Sequence, residues 1–311
     1  MPRLAAVVLL AGLLPLRALA AGDDACVKVM SFNIRFDNPA DTGSLAWTRR
    51  VAPIRRMLAE IRPDVIGTQE LRETMTDSMY SAADGYSHFK IEENDTLRGR
   101  KTADIAVFWR RDRFEPLDSG YFWLSATPDV PSKPWDSTDR HERASVWVRL
   151  RDRQGGRDFY FFTTHFPYKK APVDSEVRVR CARLICDKIK EIAGDSATVF
   201  VTGDMNCSDN PVDPRSVGLT PYFEYMKAAR REAPFSNRRS SFNGFGRVRP
   251  EIRDKNLDHI FYRNAGPRVF ETVDYPGYGV LYISDHYPIV CHFTLFTECT
   301  GYYGDDAQYT T

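Results

Sequence analysis

Nine residues, Thr198 to Asn206 (Thr-Val-Phe-Val-Thr-Gly-Asp-Met-Asn), constrain this chain more than any other stretch. The β-branched and aromatic residues from Val199 to Thr202 read as a buried strand. The strand stops at Gly203, where the missing Cβ lets the backbone turn and a substrate come close. Asp204 and Asn206 leave its end together. A carboxylate there can hold or activate a water, and an amide can donate to a phosphate-like oxygen. An Asx turn that merely closes a strand would use the same residues with no chemistry at all. The rest of the chain has to decide between the two.

Apolar runs elsewhere also end in polar groups. Asn33 stands in Ser31-Phe32-Asn33-Ile34-Arg35 and Glu70 closes Gly67-Thr68-Gln69-Glu70. His165 closes Phe161-Phe162-Thr163-Thr164-His165, Asp258 follows Asn256-Leu257, and Asp285-His286 precede Tyr287-Pro288. If the strands bring these ends to one edge, Glu70, Asp204, Asp258 and Asp285 converge. Four neighbouring carboxylates repel and cannot all stay ionised unaided. A hard divalent cation resolves the conflict, and oxygen ligands select Mg²⁺, Mn²⁺ or Ca²⁺ over zinc. No C-x-x-C or zinc spacing is present.

The periodicity predicts strands over 27–36, 65–68, 86–91, 104–110, 121–124, 145–150, 159–164, 257–262 and 287–296. Helices are expected over 47–61, 72–82 and 174–192; in the first of these Val51, Ile54, Leu58 and Ile61 make the apolar face and Pro63 the stop. The region between 207 and 256 reads as polar and helix-poor. Alternating β-α units joined to a block of strands imply an α/β fold: two mixed β-sheets packed face to face, helices outside, in one domain.

Residues 1–20 read as a signal peptide: Arg3 at the start, an apolar core of 13 residues from Leu4 to Leu16, and a small-x-small site at Ala18-Leu19-Ala20. The core is too short to span a bilayer. The expected division is thus 1–20 signal, 21–299 domain and 300–311 a loose tail, in a secreted, monomeric protein. Without Arg3 and Arg17 the 43 basic residues become 41, against 42 acidic ones, a net of −1. Grip on long nucleic acid usually comes with basic excess, so this balance favours a small or short substrate. Arg143, at the head of a strand, could clamp a phosphate or make a surface ion pair. The 238–247 segment interleaves Arg239 and Phe242 with other basic and aromatic residues, as a stacking platform would, or as a solvated loop would.

Phe-Asn-Ile-Arg, Thr-Gln-Glu, Thr-His, Gly-Asp-Met-Asn, Leu-Asp-His-Ile and Ser-Asp-His-Tyr-Pro-Ile, in that order, resemble the endonuclease/exonuclease/phosphatase superfamily over residues 26–296. Ala46-Trp47-Thr48-Arg49-Arg50 and Tyr121-Phe122-Trp123-Leu124-Ser125 resemble its secreted branch, near the deadenylase-like 3′-5′ exonucleases. The resemblance implies a four-layered α/β sandwich and hydrolysis of a phosphodiester or phosphomonoester, aided by Mg²⁺ or Mn²⁺. The substrate could be nucleic acid, or a lipid or small-molecule phosphate ester. By motif it makes Asn33, Glu70 and Asp285 metal ligands and Asp204 the group that orients or deprotonates water. It has Asn206 and His286 hold phosphoryl oxygens, Asp258 orient His286, and His165 donate to the oxyanion. A non-catalytic binding protein need not keep that set.

Two patterns depart from the resemblance. Lys101-Thr102-Ala103 stands where the branch carries an acid before the strand ending Val107-Phe108-Trp109, and the motifs of inositol polyphosphate 5-phosphatases are missing. Cys26 and Cys299 flank the first and last strands, neighbours in the resembling fold, which implies a disulfide with Cys291 as rival partner for Cys26. Of two glycosylation triplets, Asn94-Asp95-Thr96 is the credible acceptor, since a glycan at Asn206 would block the site.

Overall fold

The computed structural model describes residues 26–91, 104–251, 255–274 and 278–295. The chain opens with β1 (Cys26–Asn33), α1 (Trp47–Ile61), β2 (Val65–Gln69) and α2 (Thr76–Ala82). It continues through β3 (Tyr86–Lys90), β4 (Ala106–Arg110), β5 (Phe114–Trp123), β6 (Ala144–Asp152) and β7 (Asp158–His165). After α3 (Pro172–Ile192) and β8 (Val199–Asp204) come α4 (Thr220–Tyr225), β9 (Lys227–Ala228), α5 (Ala229–Glu232) and β10 (Phe235–Ser236). The last strands are β11 (Asp258–Arg263), β12 (Ala265–Thr272) and β13 (Ile289–Leu295).

The strands form two mixed sheets, β10-β12-β13-β1-β2-β4-β3 and β5-β6-β7-β8-β11-β9. Their inner faces share one apolar core, in which Phe200 of β8 meets Phe293 of β13 with ring centroids 4.7 Å apart. The outer faces bury separate cores: Met57 and Met79 of α1 and α2 on one side, Val177, Ile185 and Tyr222 of α3 and α4 on the other. The result is the expected helix–sheet–sheet–helix layering. At Gly67 the first sheet comes directly against the second. A Cβ there would lie 2.1 Å from Thr202 Oγ1 and 2.4 Å from Thr163 Oγ1, so no larger residue fits without movement.

Helix α1 matches its predicted bounds because its apolar stripe and its stop at Pro63 agree. Helix α2 starts four residues late, after a 3₁₀ turn over Glu73–Met75. The supposedly helix-poor region holds α4 and α5, whose short spans carry too few turns to show a period. Strand β12 went unforeseen: its burial alternates irregularly around a register shift between Pro267 and Val269.

Among the described residues, Cys26, Cys181, Cys186, Cys207 and Cys291 are free thiols. The antiparallel register sets Cys26 opposite Thr294 and Cys291 opposite Val29, which separates the rival pair by three positions. Cys299, the signal segment, the tail and Asn94 lie outside the described residues. No described helix is long and apolar enough to cross a membrane.

Candidate active site

Register alone assembles the site. β1 runs parallel to β2 with Asn33 beside Gln69, and β7 runs parallel to β8 with His165 beside Asp204. β11 enters antiparallel, so Asp258 stands opposite Asp204. The exits of four strands and the entry of a fifth therefore share an edge. The chain reverses sharply there: Arg35, Glu70 and Asn206 hold left-handed backbones at φ 56°, 66° and 49°. Such conformations cost a non-glycine residue about 1–3 kcal/mol and cluster at functional sites.

Asp204 is the centre. Its Oδ1 accepts the Asn206 backbone N–H at 2.9 Å, so the Asx turn is real. Its Oδ2 accepts from Asn33 Nδ2 at 3.0 Å and lies 3.6 Å from both His165 Nε2 and His286 Nε2. One oxygen shapes the turn, and the other faces Asn33 and the two imidazoles at the cleft. His286 Nδ1 lies 2.7 Å from Asp258 Oδ2. Burial opposes charge on this imidazole, but Asp258 and Asp204 outweigh it and raise the ring to about 10. The two carboxylates thus favour the charged form of this imidazole.

The expected cluster of four carboxylates is not formed as such. Asp258 is spent on His286, and Asp285 lies 3.4 Å from Arg35 Nη1. The Asn33 amide joins the remaining pair, donating to Glu70 Oε1 and to Asp204 Oδ2 at 3.0 Å each. Glu70 Oε2 takes the Phe36 N–H at 2.9 Å. Ser284 Oγ donates to the Asn33 carbonyl at 2.7 Å, tying the loop that carries Asp285 to the end of β1. Glu70 and Asp285 both line the cleft, and carboxylate oxygens are the donors a hard divalent ion takes. The Asn33 amide oxygen, expected as a ligand beside them, instead accepts the Arg35 N–H at 3.0 Å, with the amide nitrogen turned toward Glu70. Asp204, Asp258 and His286 also bring ligand atoms within 4.8 Å of one another, but the Asp258–His286 hydrogen bond occupies the facing nitrogen and oxygen.

Other candidates divide. Asn206 lines the cleft, yet one of its amide protons goes to the Phe166 carbonyl at 3.0 Å, leaving only the other for a phosphoryl oxygen. Arg143 is buried in the cleft wall, donating from Nη2 to Asp139 at 2.9 Å. Phe242 packs edge-on against His286, centroids 5.0 Å apart. Arg239 does not reach the cleft: Glu251, at 3.0 Å, and Asp274 take its guanidinium. From the same segment Arg247 faces the cleft instead, with Lys255 beyond it.

Asp104 is the acid that Lys101-Thr102-Ala103 failed to supply, one residue further on. It lies 3.7 Å from His165 Nδ1. Burial pushes its carboxyl up, but His165 and Arg143 hold it below the usual range. Its place at the head of a strand was the missed signal. The whole cleft encloses about 660 Å³.

The family model for the endonuclease/exonuclease/phosphatase family matches residues 30–286. The chain belongs to this family. Among solved structures it resembles an endonuclease/exonuclease/phosphatase protein of Bacteroides vulgatus, at 28% identity and TM-score 0.75, over 87% of this chain and 99% of that one. It also resembles a mannosyl-6-phosphatase of Bacteroides thetaiotaomicron, at 26% identity and TM-score 0.73, over 86% of this chain and 99% of that one. A curated relative, Nocturnin of Drosophila melanogaster, is 22% identical over 81% of this chain, which spans 42% of that protein's length.

Proposed function

We propose that this chain is a divalent-metal-dependent phosphoesterase for a compact phosphate ester, a phosphomonoester before a nucleic acid strand. The observation that carries the reading is Asp204, whose free-facing oxygen sits among the Asn33 amide and two imidazoles on the floor of a cleft. Asp204 takes the proton of a water attacking phosphorus. His286, whose charged form Asp258 favours, donates from Nε2 to a phosphoryl oxygen, and His165 donates to another as charge builds. Glu70 and Asp285 would hold Mg²⁺ or Mn²⁺, with the Asn33 amide fixing Glu70; the ion would supply charge neutralisation at the phosphoryl group.

A compact substrate is supported by the size of the cleft, by the near-zero charge, and by the mannosyl-6-phosphatase likeness. Cations on the walls, among them Arg72, Lys170 and Arg247, suit an anionic ligand. Secretion and a monomeric state complete the proposal. The test is a panel of sugar phosphates, nucleotides, oligonucleotides, phosphoinositides and sphingomyelin, each with Mg²⁺ or Mn²⁺ and with EDTA. Hydrolysis of a small phosphomonoester that EDTA abolishes is the expected result. A preference for oligonucleotides would replace the compact substrate with a nuclease reading, and full activity in EDTA would remove the metal.

A further inference from the structure

A second carboxylate–imidazole pair faces the same cleft. His141 Nδ1 lies 2.7 Å from Asp139 Oδ1, the same separation as His286 from Asp258. The Asp139 side chain has no exposed surface, whereas that of His141 is 50% exposed and lines the cleft. A buried carboxylate is costly unless its oxygens are filled, and Asp139 fills them with the cleft wall. Oδ1 also accepts the His141 backbone N–H at 3.1 Å. Oδ2 accepts Arg143 Nη2 at 2.9 Å and the Tyr168 N–H at 3.3 Å. Asp139 is the charged group on the ring itself; Arg143 reaches it only through Asp139, and Lys169 lies at 4.7 Å over the Tyr168 ring, whose centroid is 6.2 Å from that of His141. With Nδ1 committed to Asp139, Nε2 is the nitrogen left for a ligand.

The other two imidazoles of the cleft both place Nε2 3.6 Å from Asp204, on the side of the attacking water. In-line displacement puts the leaving oxygen on the opposite side of phosphorus, out of reach of a group that sits against the base. An alkoxide leaving group needs a proton, and imidazole is the side chain whose ordinary titration lies nearest neutral pH.

We propose that His141 is the catalytic acid for the leaving group; this rests on the phosphoesterase reading above. As the water oxygen bonds to phosphorus, its proton passes to Asp204. The bond from phosphorus to the leaving group breaks with its electron pair on the leaving oxygen, which takes the proton from His141 Nε2. Asp139 is a positioning residue that fixes the ring and balances its charge.

The test compares the full-length wild type with His141→Gln and His141→Ala, with Mg²⁺, on p-nitrophenyl phosphate and on an alkyl or sugar phosphate. A p-nitrophenolate leaves without a proton and an alkoxide does not. The variants should lose about 10²–10³ in kcat on the alkyl ester and less than about threefold on p-nitrophenyl phosphate. Equal losses on both esters, or no loss on the alkyl ester, would overturn the assignment. Melting curves should show both variants folded, with only part of the Asp139 stabilisation lost because Arg143 and the His141 and Tyr168 backbone N–H groups still fill its oxygens. A wild type that hydrolyses neither ester with metal present overturns the phosphoesterase reading itself, a result separate from any ratio between variants.

Discussion

The guanidinium of Arg50, with no exposed surface, donates from Nη1 to the Ile34 carbonyl at 2.5 Å. The same side chain reaches Leu45 O at 2.8 Å, Arg35 O at 2.9 Å and Ile283 O at 3.1 Å. One arginine on α1 thus ties the exit of β1, with Asn33, to the loop that carries Asp285. Burial pulls its pKa down to about 10, only partly opposed by Asp285 and Asp41. Lysine keeps the charge but lacks the planar fork. Arg50→Lys should cost about 1–3 kcal/mol from carbonyls left unpaired. It should also raise the Mg²⁺ concentration needed for half-maximal activity. Denaturant melts and a metal titration check both effects. An unchanged metal requirement would confine Arg50 to stability.

Asp204→Asn keeps the shape of the turn, because an amide oxygen can still accept the Asn206 N–H. It removes the base. Turnover should fall by about 10²–10⁴-fold with the fold intact. Near-normal hydrolysis by the folded variant would take the proton-accepting role away from Asp204.

The edge where the site forms was legible because the motif residues close or open apolar runs, and parallel pairing carries such ends to one place. Asn33, Glu70, His165, Asp204, Asp258 and His286 were therefore all readable. What sequence could not show was how their charges pair. Asp285 looks as free as Glu70 until Arg35 folds back onto it. Arg239 looks as available as Arg247 until Glu251 and Asp274 are seen to hold it. Asp139 and His141 carry no period and no strand, so only the packed loop before β6 reveals them.

Asp139 sets an acid limit on stability. Burial disfavours its charge, but His141 and Arg143 outweigh burial and hold the carboxyl well below its usual range. A carboxyl depressed in the folded state stabilises at every pH above its unfolded value, about 3.9, and loses that contribution as pH falls through the folded value. The melting-temperature gap between wild type and Asp139→Asn should therefore be full from about pH 5 to 8 and narrow steadily below about pH 4. A gap that stays constant down to about pH 2 would show that the Asp139 charge contributes nothing.

A close approach of the two sheets rests on Gly67. Its would-be Cβ meets Thr202 Oγ1 at 2.1 Å and Thr163 Oγ1 at 2.4 Å. These hydroxyls are not idle: they bond to each other at 3.1 Å, and Thr163 Oγ1 accepts Gln69 Nε2 at 3.0 Å. Gln69 precedes Glu70, so pushing the sheets apart at Gly67 moves a candidate metal ligand as well as the core. Gly67→Ala should destabilise by about 1–3 kcal/mol through overpacking. Thr202→Ala in the same chain removes the nearest clash and should recover part of that loss, although it also deletes a buried hydrogen bond. Chemical denaturation of the two single variants and the double variant measures the coupling. Strict additivity of the two losses would show that the sheets do not meet at Gly67.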